Sequence, residues 1–262
     1  MMRNDVELAY WWQKIQNKVK ALPFKPVDIL LVGATGVGKS STINALLGPD
    51  VARVGHSPSP ETLATQSYQV DEWLRFWDSP GLGDGVAEDA AHAKKIVDLL
   101  YKSYMHSDGT WAWVDLVLVV LDGSLRDMGT AYQLLEQVIL PCIETERIMV
   151  VINQADMAMK GRYWNHEKCC PEPVLEAFLQ DKAFSVQQRL WEATGIQISM
   201  PVCYSAYEHY NLVEVMKALY HFMPTGKRKL PDGGINKHSP QLSDSNPRGM
   251  GSHLAALMSI FK

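Results

Sequence analysis

The segment Gly33–Ser40 contains residue types whose spacing suits the binding of phosphate groups. Its sequence, Gly-Ala-Thr-Gly-Val-Gly-Lys-Ser, matches the pattern G-x-x-x-x-G-K-[ST] of a phosphate-binding loop, or P-loop. Glycines let the backbone turn tightly and direct its N–H groups at a polyphosphate, Lys39 supplies a positive charge, and the Ser40 hydroxyl can bind Mg²⁺. We expect phosphate contacts from Gly33, Gly36, Val37, Gly38, Lys39, Ser40 and Ser41.

Two elements must position this loop. The apolar run Val27–Val32 predicts a buried strand before it, and Ser40–Leu47 predicts a helix after it. A helix that begins directly after a strand offers backbone N–H groups and the positive end of its dipole to an anion. This context favours a polyphosphate site over a glycine-rich turn that matches the pattern by chance.

An acidic residue after a later strand completes a candidate metal site. Trp73–Trp77 predicts this strand, and the sequence Asp78-Ser79-Pro80-Gly81 follows it. Oxygen atoms are the ligands that Mg²⁺ prefers, so we expect Asp78, through water, and Ser40 to hold the ion. The N–H group of Gly81 is expected to reach the outermost phosphate.

A threonine in the preceding stretch, residues 56–65, is expected to close on the metal ion and the outermost phosphate. Both Thr62 and Thr65 lie there. We choose Thr62, because it leaves a few residues between the threonine and the predicted strand Gln66–Val70. Thr65 is the alternative. Lys39 and Thr62 are therefore the residues expected to stabilise the transition state or to position water, and the sequence names no catalytic base.

Residues that could select a nucleotide base follow another apolar strand, Arg147–Ile152. They are Asn153, Gln154 and Asp156. The Asp156 carboxylate can accept hydrogen bonds from N1–H and the 2-amino group of guanine. Adenine offers neither donor and would leave the carboxylate unpaired, at a cost in binding. The motif therefore favours guanine over adenine.

A second base-contacting element is expected at Ser205 and Ala206, after the short strand Pro201–Tyr204. A backbone N–H group there can donate to O6 of guanine and would oppose the amino group of adenine. Either short motif alone is weak evidence for a guanine site. Their order and spacing after the phosphate loop strengthen that interpretation.

Taken together, these motifs resemble those of a translation-factor-class GTPase of the Era-like group, over residues 27–222. The chain is most similar to the YfjP/YeeP-like predicted GTPases, which are often found on bacterial prophages and genomic islands. The resemblance implies a switch protein that binds GTP and GDP with Mg²⁺ and hydrolyses GTP slowly.

Three residues depart from the family pattern. Gln154 stands where the base motif usually has lysine. The aliphatic stem of that lysine stacks on the base, and the shorter glutamine side chain replaces this contact only in part. Leu82 stands where many small GTPases have a glutamine that orients water, which implies slow hydrolysis or a group supplied from elsewhere. Gly36 stands where potassium-activated relatives have asparagine. The alternative function is therefore a GTP-binding structural or interaction module with negligible turnover.

The whole chain fits an α/β fold. Its 262 residues, 47% hydrophobic and with a net charge of −4, suit a globular domain and argue against general nucleic-acid binding. Six predicted strands alternate with helices, which indicates a doubly wound, mostly parallel six-stranded sheet with the nucleotide at its carboxyl edge. We expect helices at residues 88–104, 129–140, 172–194 and 210–222, with an irregular segment at 157–171.

The predicted GTPase domain, residues 27–222, has an appendage on each side. Residues 1–26 contain an amphipathic helix with one apolar stripe, expected to pack on the domain. Residues 223–262 carry six basic and two acidic residues and a composition typical of a linker, with a short terminal helix at Leu254–Phe261. We expect residues 225–262 to be dispensable for folding and for GTP binding. The N-terminal helix and the basic tail also leave open a membrane-associated, self-assembling GTPase.

The remaining features suggest a cytoplasmic protein. The four cysteines, Cys142, Cys169, Cys170 and Cys203, match no zinc pattern and indicate reduced thiols. No apolar run approaches the length of a membrane span. The expected partners are guanine nucleotide, an unidentified protein effector and, as an open alternative, a second copy of the chain.

Overall fold

The computed structural model describes residues 2–47, 66–69, 72–83, 86–107, 109–125 and 129–230. The expected switch threonines, Thr62 and Thr65, and the tail beyond Leu230 lie outside these residues. The helices are α1 (Met2–Lys20), α2 (Lys39–Leu47), α3 (Val86–Tyr101), α4 (Gly129–Gln133), α5 (Pro173–Thr194) and α6 (Leu212–Phe222). The strands are β1 (Val27–Val32), β2 (Gln66–Gln69), β3 (Leu74–Asp78), β4 (Ser103–His106), β5 (Gly109–Ala112), β6 (Leu116–Asp122), β7 (Ile148–Asn153), β8 (Trp164–Asn165), β9 (Cys170–Pro171) and β10 (Val202–Cys203).

The main sheet has the strand order β10-β7-β6-β1-β3-β2. Its parallel part has five strands rather than six, because β2 pairs antiparallel with β3 at the edge. Every residue of β1 and β7 is buried, as is typical of parallel strands covered on both faces. The prediction of a doubly wound α/β sheet is confirmed.

Helices cover both faces of the sheet and form two hydrophobic cores. On one face, α3 contributes Ile96 and α5 contributes Val186 and Leu190. On the other face, α2 contributes Ile43 and α6 contributes Leu219. The carboxyl ends of the parallel strands share one edge of this layered structure, and the predicted motifs follow those ends.

The N-terminal helix α1 packs against the domain, as its apolar stripe predicted. Ile15 and Val19 are fully buried, and Trp11 meets Tyr220 of α6 edge to face with ring centroids 5.6 Å apart. Lys18 Nζ donates a hydrogen bond to the backbone oxygen of Tyr220 at 2.9 Å. The stripe therefore faces protein. Among the helices of the described residues, none combines the length and the apolar character needed to span a membrane.

The helix predicted over 88–104 ends earlier, at Tyr101. The chain then forms the antiparallel hairpin of β4 and β5, in which Gly109 adopts a φ of 134° that favours glycine. The helix predicted over 129–140 is α-helical only to Gln133 and continues as a π-helix, Leu134–Ile139. The segment predicted to be irregular, 157–171, contains the 3₁₀ turns of Ala155–Gly161 and the short β8–β9 pair.

The predicted boundary at residue 222 is wrong, because the folded domain continues to residue 230. The Arg228 side chain is only 1% exposed. Its backbone oxygen accepts a hydrogen bond from Ala112 N–H at 2.8 Å, and Leu230 N–H donates to the oxygen of Thr110 at 3.2 Å. Residues 228–230 thus pair with β5 through an antiparallel bridge between Trp111 and Lys229.

A buried ionic cluster fixes the same segment to β1. Lys227 Nζ lies 2.6 Å from Asp115 Oδ2 and 4.0 Å from Asp28 Oδ2. Arg75 and the Trp77 indole N–H also donate to Asp28. Burial raises the pKa of Asp115, and the Lys227 charge opposes that shift. Lys227, which resembles a linker residue in the sequence, therefore neutralises carboxylates of the core.

Candidate nucleotide-binding site

The phosphate-binding loop joins β1 to α2, as predicted. Gly36 and Gly38 have φ values of 80° and 86°, which side chains rarely adopt. A Cβ at Gly38 would lie 2.5 Å from Nδ2 of Asn153, so this position also needs glycine for space. The Ser41 side chain is exposed on the first turn of α2, and the Val37 side chain is buried.

Lys39 lies at the centre of this loop. Its side chain is mostly buried, and Nζ donates to the backbone oxygens of Gly33 at 3.2 Å and Ala34 at 3.1 Å. The ammonium group is therefore held inside the turn of the loop. A phosphate group bound there would meet this charge at short range.

Ser40 and Asp78 lie together at the start of α2 and the end of β3. The Ser40 hydroxyl donates to Asp78 Oδ2 at 2.5 Å. The other carboxylate oxygen, Asp78 Oδ1, is buried and has no hydrogen-bond partner among the described residues. Burial raises the pKa of Asp78, against the effects of the Ser40 hydrogen bond and the Lys39 charge. These oxygen atoms fit a Mg²⁺ site, because a cation would satisfy the buried carboxylate oxygen.

Asn153 connects the base-selecting motif to the phosphate loop. Its Nδ2 donates to the oxygen of Val37 at 2.8 Å, and its Oδ1 accepts from the N–H of Ala206 at 3.0 Å. Gln154, with a φ of 60°, donates from Nε2 to the oxygen of Gly36 at 2.9 Å. Both side chains therefore hold the phosphate loop against the turn that follows β7.

Asp156 lies beside this turn with one oxygen unsatisfied. The residue is 8% exposed, and its Oδ1 is buried without a hydrogen-bond partner among the described residues. A buried acceptor of this kind suits a ligand that brings N–H donors.

The backbone groups expected to read O6 of guanine already have partners in this structure. The Ser205 N–H donates to the oxygen of Tyr210 at 3.1 Å, and the Ala206 N–H donates to Asn153. For Ala206 to contact a base, this N–H would have to be shared with or released from Asn153.

The segment Gly81–Gly83 pairs with the phosphate loop through its backbone. Thr35 N–H donates to the oxygen of Leu82 at 2.7 Å, and Leu82 N–H donates to the oxygen of Gly33 at 3.3 Å. The Leu82 side chain is 2% exposed and lies in the core on the α3 side of the sheet. The position of Leu82 after Gly81 suggested a side chain beside the outermost phosphate. The Leu82 side chain is instead buried in the core, because it is apolar.

Two residues of α3 that belong to none of the predicted motifs support this segment. His92 Nδ1 lies 2.6 Å from the oxygen of Gly81, and Asp89 Oδ1 accepts from Gly83 N–H at 2.6 Å. Their spacing of three residues places both on one face of a helix. Polar side chains on that face, close after the motif that ends in Gly81, are the signal that could have identified them.

Two further side chains, those of Thr42 and Lys182, make hydrogen bonds to backbone oxygens near the site. Thr42 Oγ1 donates to the oxygen of Gly38 at 2.7 Å and lies 2.5 Å from the Tyr204 hydroxyl, which links α2 to the end of β10. Lys182 Nζ donates to the oxygens of Gly123 and Leu125, each at 2.6 Å. Neither residue carried a sequence signal, because the contacts with Tyr204, Gly123 and Leu125 join distant parts of the chain.

Comparison with known protein families identifies the motifs independently. The family model described as 50S ribosome-binding GTPase matches residues 28–154. A probable GTP-binding protein EngB from Streptococcus mutans is 31% identical over 176 residues, which cover 66% of this chain and 82% of that protein.

Solved structures share the fold. Toc33 from Arabidopsis thaliana in complex with Mg²⁺ and GMPPNP is 16% identical, covers 84% of this chain and 92% of its own, and has a TM-score of 0.53. A structure of the chloroplast translocon components atToc33 and psToc159 is 17% identical, covers 84% of this chain and 90% of its own, and has a TM-score of 0.56. These likenesses concern the fold, whereas the identity to EngB over most of its length shows the family. The chain belongs to the P-loop GTPase family of GTP-binding proteins.

Proposed function

We propose that this protein is a guanine-nucleotide switch that binds GTP and GDP at the phosphate loop and slowly hydrolyses GTP to GDP and phosphate. The observation that carries the proposal is a pair of buried carboxylate oxygens, Asp78 Oδ1 and Asp156 Oδ1, which have no hydrogen-bond partner within the part of the chain that the structure describes. One lies beside Ser40 at the phosphate loop and the other follows the turn of β7. A Mg²⁺–guanine nucleotide would satisfy both, because it brings a cation and two N–H donors.

The side chains divide the binding of GTP between them. Lys39 neutralises charge on the outer phosphates, and the loop N–H groups donate to phosphate oxygens. Ser40, Asp78 and, from outside the described residues, Thr62 would hold Mg²⁺, which neutralises charge on the phosphate oxygens when it is bound. With a single carboxylate among these ligands, we expect the ion to depend on the phosphates for much of its affinity. Asp156 accepts from the guanine ring.

Hydrolysis is the attack of water on the terminal phosphorus atom. The water oxygen forms a bond to phosphorus, the bond from phosphorus to the bridging oxygen breaks, and the proton passes to the phosphate released. The protein contributes positioning and charge stabilisation rather than covalent chemistry. Leu82 cannot orient the water, because its side chain is apolar and buried.

Base selection provides the direct test of the proposed function. Replacing Asp156 by asparagine should weaken GTP binding and favour xanthosine triphosphate, because xanthine has a carbonyl group at position 2 where guanine has an amino group. Competition binding with both nucleotides measures the change, and a Glu208→Gln variant, altered at another carboxylate, is the matched control. An unchanged preference for GTP in Asp156→Asn would place the base site elsewhere.

Slow turnover is a second expected result. Purified protein should hydrolyse one GTP in roughly minutes or longer, as other unassisted GTPases of this class do. Single-turnover measurements would separate this behaviour from a binding module with no useful turnover, which would show no release of phosphate. Rapid hydrolysis by dilute protein would contradict the expectation and point to a further catalytic group in the protein.

Turnover measurements can also test whether a second copy of the chain stimulates GTP hydrolysis. Dimerization is important for the GTPase activity of atToc33 and psToc159. We extend this to the present chain only as a hypothesis: the rate per molecule should rise with protein concentration. The placement among Era-like or YfjP/YeeP-like GTPases, the cytoplasmic location and the protein effector are also proposals from the sequence.

A further inference from the structure

The segment Gly81–Gly83 is fixed on two sides. On one side it pairs with the phosphate loop, through the hydrogen bonds Thr35 N–H to Leu82 O and Leu82 N–H to Gly33 O. The buried Leu82 side chain adds an apolar anchor. The segment is therefore part of the wall of the candidate nucleotide site.

On its other side the segment is held by α3. The oxygen of Gly81 can only accept a hydrogen bond, so Nδ1 of His92, 2.6 Å away, donates to it. Asp89 Oδ1 accepts from Gly83 N–H at 2.6 Å. The support is rigid, because the following residues of α3, Ala93 and Ile96, are fully buried in the core.

This arrangement leaves no room for a phosphate between Gly81 and the loop. A Cβ at Gly81 would lie 2.5 Å from both the backbone nitrogen and the Cα of Thr35. The Thr35 N–H, which belongs to the phosphate loop, already donates to Leu82. A third phosphate that approaches Gly81 must therefore separate Leu82 from Thr35, whereas a diphosphate that stops short of Gly81 need not.

We propose that Asp89 and His92 are positioning residues that hold Gly81–Gly83 against the phosphate loop and thereby favour GDP over GTP. The inference rests on the proposed function and deepens it, since it assigns nucleotide preference to two residues outside the family motifs. Each side chain stabilises the closed arrangement through a short hydrogen bond, and GTP binding must work against that stabilisation. Removing either hydrogen bond should lower the free energy needed to separate Gly81–Gly83 from the phosphate loop. The contacts of the protein with GDP should remain in place.

The test compares dissociation constants for GDP and for a non-hydrolysable GTP analogue. His92→Ala and Asp89→Ala should each raise the affinity for the analogue relative to GDP by about 3- to 10-fold, the effect of one hydrogen bond. His92→Asn should retain the wild-type ratio, because the asparagine Nδ2 can donate to Gly81 in place of Nδ1. Glu88→Ala, an exposed acidic residue in the same first turn of α3, is the control for helix charge.

The outcomes separate this inference from the proposed function. Equal changes for both nucleotides in His92→Ala and Asp89→Ala, no change, or a shift toward GDP would overturn the positioning role while leaving guanine-nucleotide binding intact. A wild-type protein that binds neither nucleotide would overturn the proposed function itself. A melting temperature measured for each variant identifies loss of folding. If the alanine variants are unstable, His92→Phe and Asp89→Leu carry the comparison, because they keep the side-chain volume but cannot make these hydrogen bonds, and they should show the same shift toward the analogue.

Discussion

Replacing Lys39 by alanine is expected to weaken the binding of both GDP and GTP by about 3–5 kcal/mol, a loss on the order of hundreds to thousands of fold. Nζ is held inside the phosphate loop by the oxygens of Gly33 and Ala34, where little solvent screens its charge. Alanine removes both the charge and its hydrogen bonds to phosphate. Titration with a fluorescent GDP and with a GTP analogue measures the loss.

A matched control separates this effect from a general change in charge. Lys217 is a surface lysine on α6 that pairs with Glu214, and Lys217→Ala changes the net charge by the same amount. We expect this variant to bind both nucleotides as the wild type does. A loss of less than tenfold in Lys39→Ala, in a protein that melts like the wild type, would contradict the role of the lysine.

The phosphate loop could be predicted because its information is local. Gly36 and Gly38 adopt the positive φ values that their sequence pattern implies, and the strand before them and the helix after them follow from apolar patterns in the same short segment. The carboxyl edge of the sheet then brings Asp78 and Asn153 to this loop, because parallel strands end on the same side. The meeting of these motifs at one edge of the sheet thus follows from pattern and topology.

The contacts of Leu82 could not be predicted in the same way. Its position after Gly81 suggested a residue beside the outermost phosphate, but the position fixes only the backbone. The side chain turns into the core, and the backbone bonds with Thr35 depend on how β3 and the loop meet in space. The hairpin after Tyr101 was missed because aromatic residues at helical spacing extend the helical pattern into β4.

The C-terminal segment was misread for a related reason. Lys227 lies 112 residues from Asp115 in sequence, and no local pattern connects them. A run of basic residues between glycine and proline is typical of an exposed linker. In the structure, Lys227 pairs instead with Asp115, whose carboxylate is completely buried. The positive and the negative charge are therefore buried as a pair.

Ending the chain at Met223 is therefore expected to destabilise the domain by at least about 3–5 kcal/mol, the cost of leaving a buried charge without its partner. Asp115 would lose Lys227. The oxygens of Leu100, Val114 and Cys142 would lose Arg228, which donates to them at 2.9, 3.2 and 2.8 Å. For a domain of this size, the melting temperature should fall by at least roughly 6 °C.

The control is a chain that ends at Leu230, which keeps all of these contacts and the backbone bonds of residues 228–230. Its melting temperature and GDP affinity should match those of the full chain, whereas the chain ending at Met223 should melt earlier or accumulate as insoluble protein. Arg228→Ala in the full chain should reproduce part of the loss, because its guanidinium group satisfies three buried carbonyl oxygens. Equal melting temperatures for the chains ending at Met223 and Leu230 would show that residues 224–230 contribute nothing to folding, and would restore the domain boundary at residue 222.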